Sequence, residues 1–225
     1  MTRKPKMIQV EKDVFDFLVR CCYTSSQAFL RADVDHRFST AIDTAITTAY
    51  GDLCRTLWSV DKTKDAQHLL KLAKNARLFL AEEVRKFVNK GIGSQDEFDK
   101  WHEATCEILR SIYRNKDAKR LFKPDHRFTY GHAQKWLNMT LKRLYVLEPE
   151  KIRPIAEFLH PPVDKVVIAE AKRSGVNPKD LGLDRTWSKW DGYNNYKKYQ
   201  AKLRECIKER PLFRWEFGVW NRNNH

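Results

Sequence analysis

The chain has 225 residues, is 42% hydrophobic and carries a formal net charge of +14. That length allows one domain with a sizeable core, or two small lobes that share a cleft. The hydrophobic content excludes a disordered chain, and no apolar run approaches the roughly 20 residues that span a bilayer. The basic N-terminal stretch MTRKPKMIQVEKDVF reaches charged residues before a signal-peptide core can form, so we expect a soluble intracellular protein.

The positive charge is concentrated in the second half of the chain. Residues 1–113 carry a net charge of +2, whereas residues 114–225 carry +12. Lys and Arg side chains that neutralise phosphates release condensed counterions, which favours binding to nucleic acid. No basic amphipathic helix with a clean apolar face stands out, so we expect nucleic acid rather than a membrane as the partner.

The cysteines give no sign of a disulfide framework or a zinc site. Their number is odd, they form no CxxC pair, and no histidines stand at a matching spacing. We therefore expect free thiols in a reducing compartment, with no metal site and no cofactor. The five are Cys21, Cys22, Cys54, Cys106 and Cys206.

Helical periodicity runs through most of the chain. The segment KDAQHLLKLAKNARLFLAEEVRKFVNKG places an apolar stripe on one face and ends at Gly91, a natural helix stop. Ser94 and Glu97 predict a capping box at the start of the next helix, SQDEFDKWHEATCEILRSIY. YGHAQKWLNMTLKRLYVL and NYKKYQAKLRECIKE are two more amphipathic segments. No stretch alternates with period two, so the predicted fold class is all-α.

The helix that begins near Gly131 presents a lysine away from its predicted core face. Lys135 lies almost opposite the centre of that face, with Lys142 beside it, and lysines at such positions are typically solvated. Lys135 is also placed in the first turn, where the helix dipole disfavours a cation and favours a neutral amine that can act as a nucleophile. The predicted core face consists of Ala133, Trp136, Leu137, Thr140, Leu141 and Leu144.

A single aspartate stands behind two prolines in the stretch FLHPPVDKVVIAEAKRSG. Pro161 and Pro162 stiffen the approach to Asp164, and the following apolar spacing predicts a short helix that ends at Gly175. Asp164 is a good N-cap for that helix. The alternative is that its carboxylate is held rigidly to face a cleft.

Together these two segments resemble the helix-hairpin-helix DNA glycosylases. In that family a catalytic lysine follows a glycine-bearing hairpin, and the aspartate of a Pro-Val-Asp element begins the next helix. GHAQK at 131–135 resembles the end of the hairpin, and PVD at 162–164 resembles the aspartate element. The gap of 29 residues between lysine and aspartate is most similar to the archaeal 8-oxoguanine glycosylase branch. The resemblance covers residues 120–225.

The resemblance implies a single helical domain of two lobes with the active site between them. One lobe takes in roughly residues 40–113 with the N- and C-terminal segments, and the other, residues 114–189, holds the hairpin and the catalytic residues. Lys135 and Asp164 are then the catalytic pair. That branch also holds the extruded base with an acidic residue four positions before a tryptophan, a spacing matched by Glu216 and Trp220.

Three further tryptophans, Trp187, Trp190 and Trp215, are candidates for stacking on the base, although a tryptophan more often packs in a core. The hairpin has Ala133 where the family usually has a second glycine, and the preceding PDHRFTY is not the usual turn. We therefore expect side chains, in addition to the backbone amides of the hairpin, to contact the DNA phosphates. The predicted DNA-binding residues are Arg127, Gly131, His132, Gln134 and Lys142.

The implied partner is double-stranded DNA containing a damaged or modified base, bound by a monomer in the prokaryotic cytoplasm at the nucleoid. The base stays open between 8-oxoguanine and a hypermodified phage cytosine, and the role between repair and phage defence. If Lys135 forms a Schiff base, strand scission accompanies base release. If Asp164 activates water, the product is a bare abasic site.

Two other classes of function fit part of the sequence. The spacing Arg127-x4-His132 also matches the Arg-x(4–6)-His pattern of the helical HEPN ribonucleases, in which both side chains act from one helix face on RNA. A non-catalytic nucleic-acid-binding protein would explain the charge asymmetry, but it would leave the Pro-Pro-Val-Asp stretch as a helix cap only.

Overall fold

A computed structural model describes residues 37–57, 66–114, 127–208 and 211–223. Every regular element in these ranges is helical and none is a strand, which confirms the all-α prediction. None of the helices in these ranges is long and apolar enough to cross a membrane.

In the part of the chain that the structure describes, three long helices come first, and a fourth follows after residues 115–126. They are α1 (Arg37–Leu57), α2 (Ala66–Lys90), α3 (Gln95–Arg114) and α4 (Tyr130–Leu147). The shorter helices after them are α5 (Pro149–Ile152), α6 (Lys165–Arg173), α7 (Tyr193–Cys206) and α8 (Leu212–Asn223). Three 3-10 turns connect them, at Arg153–Phe158, Pro178–Leu181 and Trp187–Lys189.

The helix ends follow the signals in the sequence. Helix α2 stops before Gly91 and α6 before Gly175, and both glycines have the left-handed backbone that favours this residue, with φ of 70° and 80°. At the start of α3, Ser94 Oγ accepts from the Glu97 amide at 3.2 Å. The Glu97 carboxylate accepts from Gly93 N, at 2.8 Å, so the reciprocal bond forms one residue earlier than in a standard capping box.

Helix α4 is the centre of the fold. It packs against α1, α3 and the turn Trp187–Lys189, and every residue in it except Lys135 and Val146 is buried. All six residues of its predicted core face are buried. The helix is covered on its polar side as well, because partners distant in sequence meet its Gln, Asn, Lys and Arg side chains.

The apolar core is continuous. Buried side chains from Ala41 in α1 to Val219 in α8 form one cluster, with α4 running through it. This arrangement sets the start of α4 beside the start of α6, where the two residues of the candidate site lie.

Candidate active site

Lys135 and Asp164 meet in space. The Lys135 ammonium Nζ lies 3.2 Å from Asp164 Oδ2, across 29 residues of chain. The Lys135 side chain is 12% exposed and that of Asp164 is 23% exposed. The pair is thus mostly covered by protein but still reaches solvent, as the reactive groups of an active site must.

The two oxygens of Asp164 do different things. Oδ1 accepts from the amides of Val166 at 2.9 Å and Val167 at 3.1 Å, so Asp164 caps α6 as its position predicted. Oδ2 faces Lys135. Capping and a carboxylate held against an amine are therefore two uses of one side chain, and the cap fixes the carboxylate orientation without a second anchor.

A glutamine one residue before the lysine holds the aspartate segment in place. Gln134 Nε2 donates to the carbonyl of Val163 at 2.8 Å, and its Oε1 accepts from the Val163 amide at 3.1 Å. Gln134 also donates to Gly131 O and accepts from Asn138. Gln134 is fully buried, and these bonds tie the residue before Asp164 to the helix that carries Lys135.

The surroundings of Lys135 differ from the sequence expectation in one respect. Helix α4 begins at Tyr130, so Lys135 is its sixth residue and lies in the second turn. The dipole effect falls off within the first turn, so it contributes little here. Instead, Lys135 Nζ lies 4.9 Å from the centre of the Trp187 ring, and this contact and Asp164 set its environment.

Gly131 is required by the close approach of the Trp187–Lys189 turn. A Cβ on Gly131 would stand 2.0 Å from the carbonyl oxygen of Trp187. The Gly131 amide donates to Trp190 O at 2.9 Å, which fastens the same segment to the helix start. Trp187 is buried beside Lys135 as a consequence of this packing.

The other polar groups at the start of α4 bond to one another. Thr129 Oγ1 accepts from the His132 amide, and His132 Nδ1 accepts from the Thr129 amide at 3.1 Å, a reciprocal cap at the start of α4. His132 is buried. The backbone amides of Thr129, Gly131 and His132 therefore all have partners inside the protein.

Lys142 and Glu216 form a buried ion pair beside the catalytic candidates. Their charged atoms are 2.5 Å apart, and both side chains are almost fully enclosed. The expected solvent exposure of Lys142 is thus absent, because α8 covers that side of α4. Burial raises the pKa of Glu216, although Lys142 opposes the rise, and the charges of Asp164 and Lys135 also act on this carboxyl group.

The candidate tryptophans lie at three different places. Trp187 contacts Lys135, whereas the Trp220 ring lies 5.8 Å from Lys142 Nζ and connects with Glu216 through that lysine. Trp190 and Trp215 are buried, Trp215 on α8. Arg127 is on the surface, 3.1 Å from Asp191.

A buried polar network behind the site could not be predicted from the sequence. Asn138 Nδ2 donates to Gln134 Oε1 at 3.1 Å and to the Tyr196 hydroxyl at 2.8 Å. Asn138 Oδ1 then accepts from His102 Nε2, 3.1 Å away, which fixes the histidine tautomer. The hydroxyl of Tyr196 lies 2.7 Å from His160 Nδ1. The network therefore connects α3, α4 and α7 to the Gln134 side chain that holds Val163.

Burial sets the charge states in this network. It lowers the pKa of His160 to about 4, although the contact with Asp99 acts in the opposite direction. It lowers the pKa of His102 well below its ordinary value, and protonation of His160 would lower that pKa further. Burial acts to raise the pKa of Asp99, but contacts with His160, Gln95 and Arg204 lower it below its usual range. Both histidines are thus neutral near pH 7.

The geometry of the ribonuclease pattern is not present. Arg127 precedes the N-cap of α4, and its side chain points to Asp191 at the surface, whereas His132 is buried in the helix cap. The two side chains do not share a helix face. In the described ranges no group of His, Cys, Asp and Glu residues could hold a metal ion, and Cys54, Cys106 and Cys206 form no disulfide. Cys21 and Cys22 lie outside these ranges.

No protein-family model, no curated protein and no solved structure matches the chain. The function proposed below therefore depends on the geometry of these side chains and on the resemblance of two sequence segments.

Proposed function

We propose that the protein is a DNA glycosylase that flips a damaged or modified base out of a duplex and cleaves its N-glycosidic bond. The observation that carries the proposal is the 3.2 Å contact between Lys135 Nζ and Asp164 Oδ2, with the second carboxylate oxygen fixed by the cap of α6. A base inside a duplex is out of reach, so the enzyme extrudes it at a cost of a few kcal/mol.

The pair supplies the two functions that the reaction needs. Loss of the base builds positive charge on the deoxyribose, and a carboxylate already held by two backbone amides stabilises that charge without reorganising. The same carboxylate lies within hydrogen-bonding distance of the Lys135 amine and can accept a proton from it.

Two routes start from this arrangement. In the first, the neutral amine of Lys135 attacks C1′, the electron pair of the glycosidic bond leaves with the base, and the base takes up a proton. The sugar adduct then opens to a Schiff base, from which strand scission follows. In the second, Asp164 accepts a proton from an attacking water, and the products are free base and a bare abasic site.

The base pocket is proposed on the far side of this pair, towards α8. Glu216 and Trp220, which both lie next to the buried Lys142, line the proposed pocket. Trp187 covers Lys135 on another side. A helix-hairpin-helix-like element that ends at 131–135 and a cleft between two lobes complete the proposed architecture. A monomer that acts on modified DNA in the prokaryotic cytoplasm, for repair or against phage, is the proposed setting.

Mass spectrometry of bases released from duplexes that carry 8-oxoguanine or hypermodified cytosine tests the activity. We expect release by the wild-type protein and none by Asp164→Asn. Borohydride reduction during the reaction traps a protein–DNA adduct if Lys135 is the nucleophile, and Lys135→Ala removes that adduct. Lys172→Ala, which changes an exposed lysine of α6, serves as the control.

The outcomes separate the steps of the proposal. Base release without an adduct keeps the glycosylase and assigns Lys135 a positioning role. If no base is released from any modified duplex while DNA binding is intact, the proposed glycosylase activity is rejected and the protein is a DNA-binding protein. Cleavage of RNA in place of base release would point to a ribonuclease.

A further inference from the structure

Three arginines converge on one aspartate beside the start of α4. Arg110 and Arg114, from the last turns of α3, each bring Nη2 to 2.5 Å from Asp191 Oδ1. Arg127, just before α4, brings Nη2 to 3.1 Å from Asp191 Oδ2. We call these four residues the Asp191 cluster. Arg110 is buried, while the side chains of Arg114 and Arg127 are 37% and 67% exposed.

The cluster has more positive charge than its internal partners neutralise. Among the residues that the structure describes, Asp191 and Glu107, which pairs with Arg110, supply two negative charges against three guanidinium groups. Burial acts to raise the pKa of Asp191, but the hydrogen bond from Arg114 and the charges of the three arginines hold it below its usual value, so the carboxylate stays ionised. The ion pairs of the exposed Arg114 and Arg127 contribute little to stability, so folding gives a weak reason for these two arginines, in contrast to the buried Arg110.

The exposed arginines retain donors for a ligand. A guanidinium group has five N–H donors in a rigid plane, and Arg114 and Arg127 each approach Asp191 through Nη2. Planar guanidinium groups bind phosphate oxygens two at a time. A group held in place by Asp191 before binding loses less conformational entropy on contact with a phosphate than a free side chain does.

The cluster is close to the catalytic pair along the chain. Trp187, whose ring lies over Lys135, and Asp191 are four residues apart, which is at most about 14 Å of extended chain. That distance is about the rise of four base pairs in a duplex. The segment between them is fixed to the start of α4 by the bond from Gly131 N to Trp190 O.

The hairpin does not offer its backbone amides to a phosphate, so side chains are needed for that contact. Its amides at Thr129, Gly131 and His132 are bonded inside the protein, so the usual contact of backbone amides with a phosphate would require these bonds to break. We propose that Arg114 and Arg127, oriented by Asp191 and Arg110, bind a phosphodiester group of the DNA strand that carries the target nucleotide. The identity of the ligand as DNA rests on the proposed function.

The salt dependence of binding to an unmodified duplex tests this site. Each phosphate contact contributes about 0.9 to the slope of log K against log salt concentration. We expect Arg114→Ala and Arg127→Ala each to lower the slope, by at most that amount because the two side chains share one phosphate, and to weaken binding to every duplex sequence equally. Arg85→Ala and Arg153→Ala are matched controls, because these ion-paired arginines, on α2 and in the 3-10 turn after α5, are 37% and 60% exposed.

The outcomes distinguish this site from the glycosylase itself. If all four variants keep the wild-type slope while wild-type protein still releases a modified base, the inference is overturned and the enzyme stands. If the controls lower the slope as much as the cluster variants, the binding is diffuse and no specific site exists. If wild-type protein binds no duplex even at low salt, both the site and the proposed substrate are rejected. Circular dichroism of each variant verifies folding.

Discussion

The side-chain amide of Gln134 pairs with both backbone polar groups of Val163, at 2.8 Å to the carbonyl oxygen and 3.1 Å from the amide nitrogen. Gln134 stands next to Lys135 and Val163 next to Asp164, so this pairing sets the separation of the catalytic candidates. The sequence predicts that Gln134 contacts DNA, but the residue is enclosed by protein.

Gln134→Ala should lower the free energy of unfolding by about 3 kcal/mol. The change removes the partner of two buried backbone groups, and each buried group left without a hydrogen bond costs about 1–3 kcal/mol. Urea unfolding followed by circular dichroism measures the loss. Gln95→Ala is the control, because Gln95 is partly exposed, and its removal should cost less. Equal losses in both variants would contradict the role of Gln134.

Asp164→Asn and Asp164→Ala should differ in stability but not in activity. Asparagine retains an oxygen that accepts from the amides of Val166 and Val167, whereas alanine removes the cap of α6. Asn and Asp are about equal as N-caps, and loss of a cap costs about 1 kcal/mol. We expect Asp164→Ala to be the less stable of the two by about that amount, and base release to be lost in both. If the two variants unfold at the same urea concentration, the cap contributes nothing.

Gly131→Ala should destabilise the protein, whereas Gly51→Ala should stabilise it. A Cβ at Gly131 would meet the Trp187 carbonyl at 2.0 Å, which forces the backbone of the Trp187–Lys189 turn away from α4. A Cβ at Gly51, in α1, meets nothing within 4 Å, so the change gains about 0.5–1 kcal/mol of helix propensity. Thermal unfolding of both variants shows whether each melting temperature falls or rises relative to wild type. A stabilised Gly131→Ala variant would contradict the close packing.

The local features of the fold could be predicted because they depend on neighbours in the sequence. The stops at Gly91 and Gly175 and the cap at Asp164 need only the residues next to them. The burial of Gln134 and Lys142 could not be predicted in this way. A helical pattern of apolar residues marks one face for the core, but it does not reveal that distant partners enclose the opposite face.

The residues of the site likewise divide into those that the sequence predicts and those that only the packing of the chain brings in. The resemblance of two short segments put Lys135 and Asp164 together, and the structure brings them within hydrogen-bonding distance. Asp191 and His160 gave no sequence signal, because their partners come from helices up to 81 residues away. A polar side chain acquires such a role only through the packing of the chain.

Removing one member of the buried pair Lys142–Glu216 should be far more harmful than removing both. Lys142→Met leaves Glu216 as an uncompensated buried charge, and Glu216→Leu does the same to Lys142. Either change should cost about 3–5 kcal/mol, whereas the double variant should recover most of that loss. A double-mutant cycle of urea unfolding measures the coupling. Additive losses would contradict the pairing.

The stability of the protein should fall as the pH is lowered from 7 to 5, and His160 should account for part of the loss. The residue is neutral and buried in the native state with a pKa of about 4, whereas in the unfolded chain its pKa is about 6.5. Its contribution is therefore fully present above pH 6.5 and is lost progressively as the pH falls towards 4, because the unfolded state binds the proton first.

The groups around His160 do not reverse this sign. Asp99 stays ionised across the range from pH 7 to 5, Arg204 keeps its positive charge, and Tyr196 stays neutral. The pKa of His102 is also lowered by burial, so this residue adds to the loss of stability at low pH. His160→Gln should remove about 2 kcal/mol of the pH dependence between 7 and 5, since glutamine carries no titrating proton. Urea midpoints measured at pH 5, 6 and 7 give the difference between variant and wild type. Parallel curves for the two proteins would mean that His160 takes up a proton as readily when folded as when unfolded.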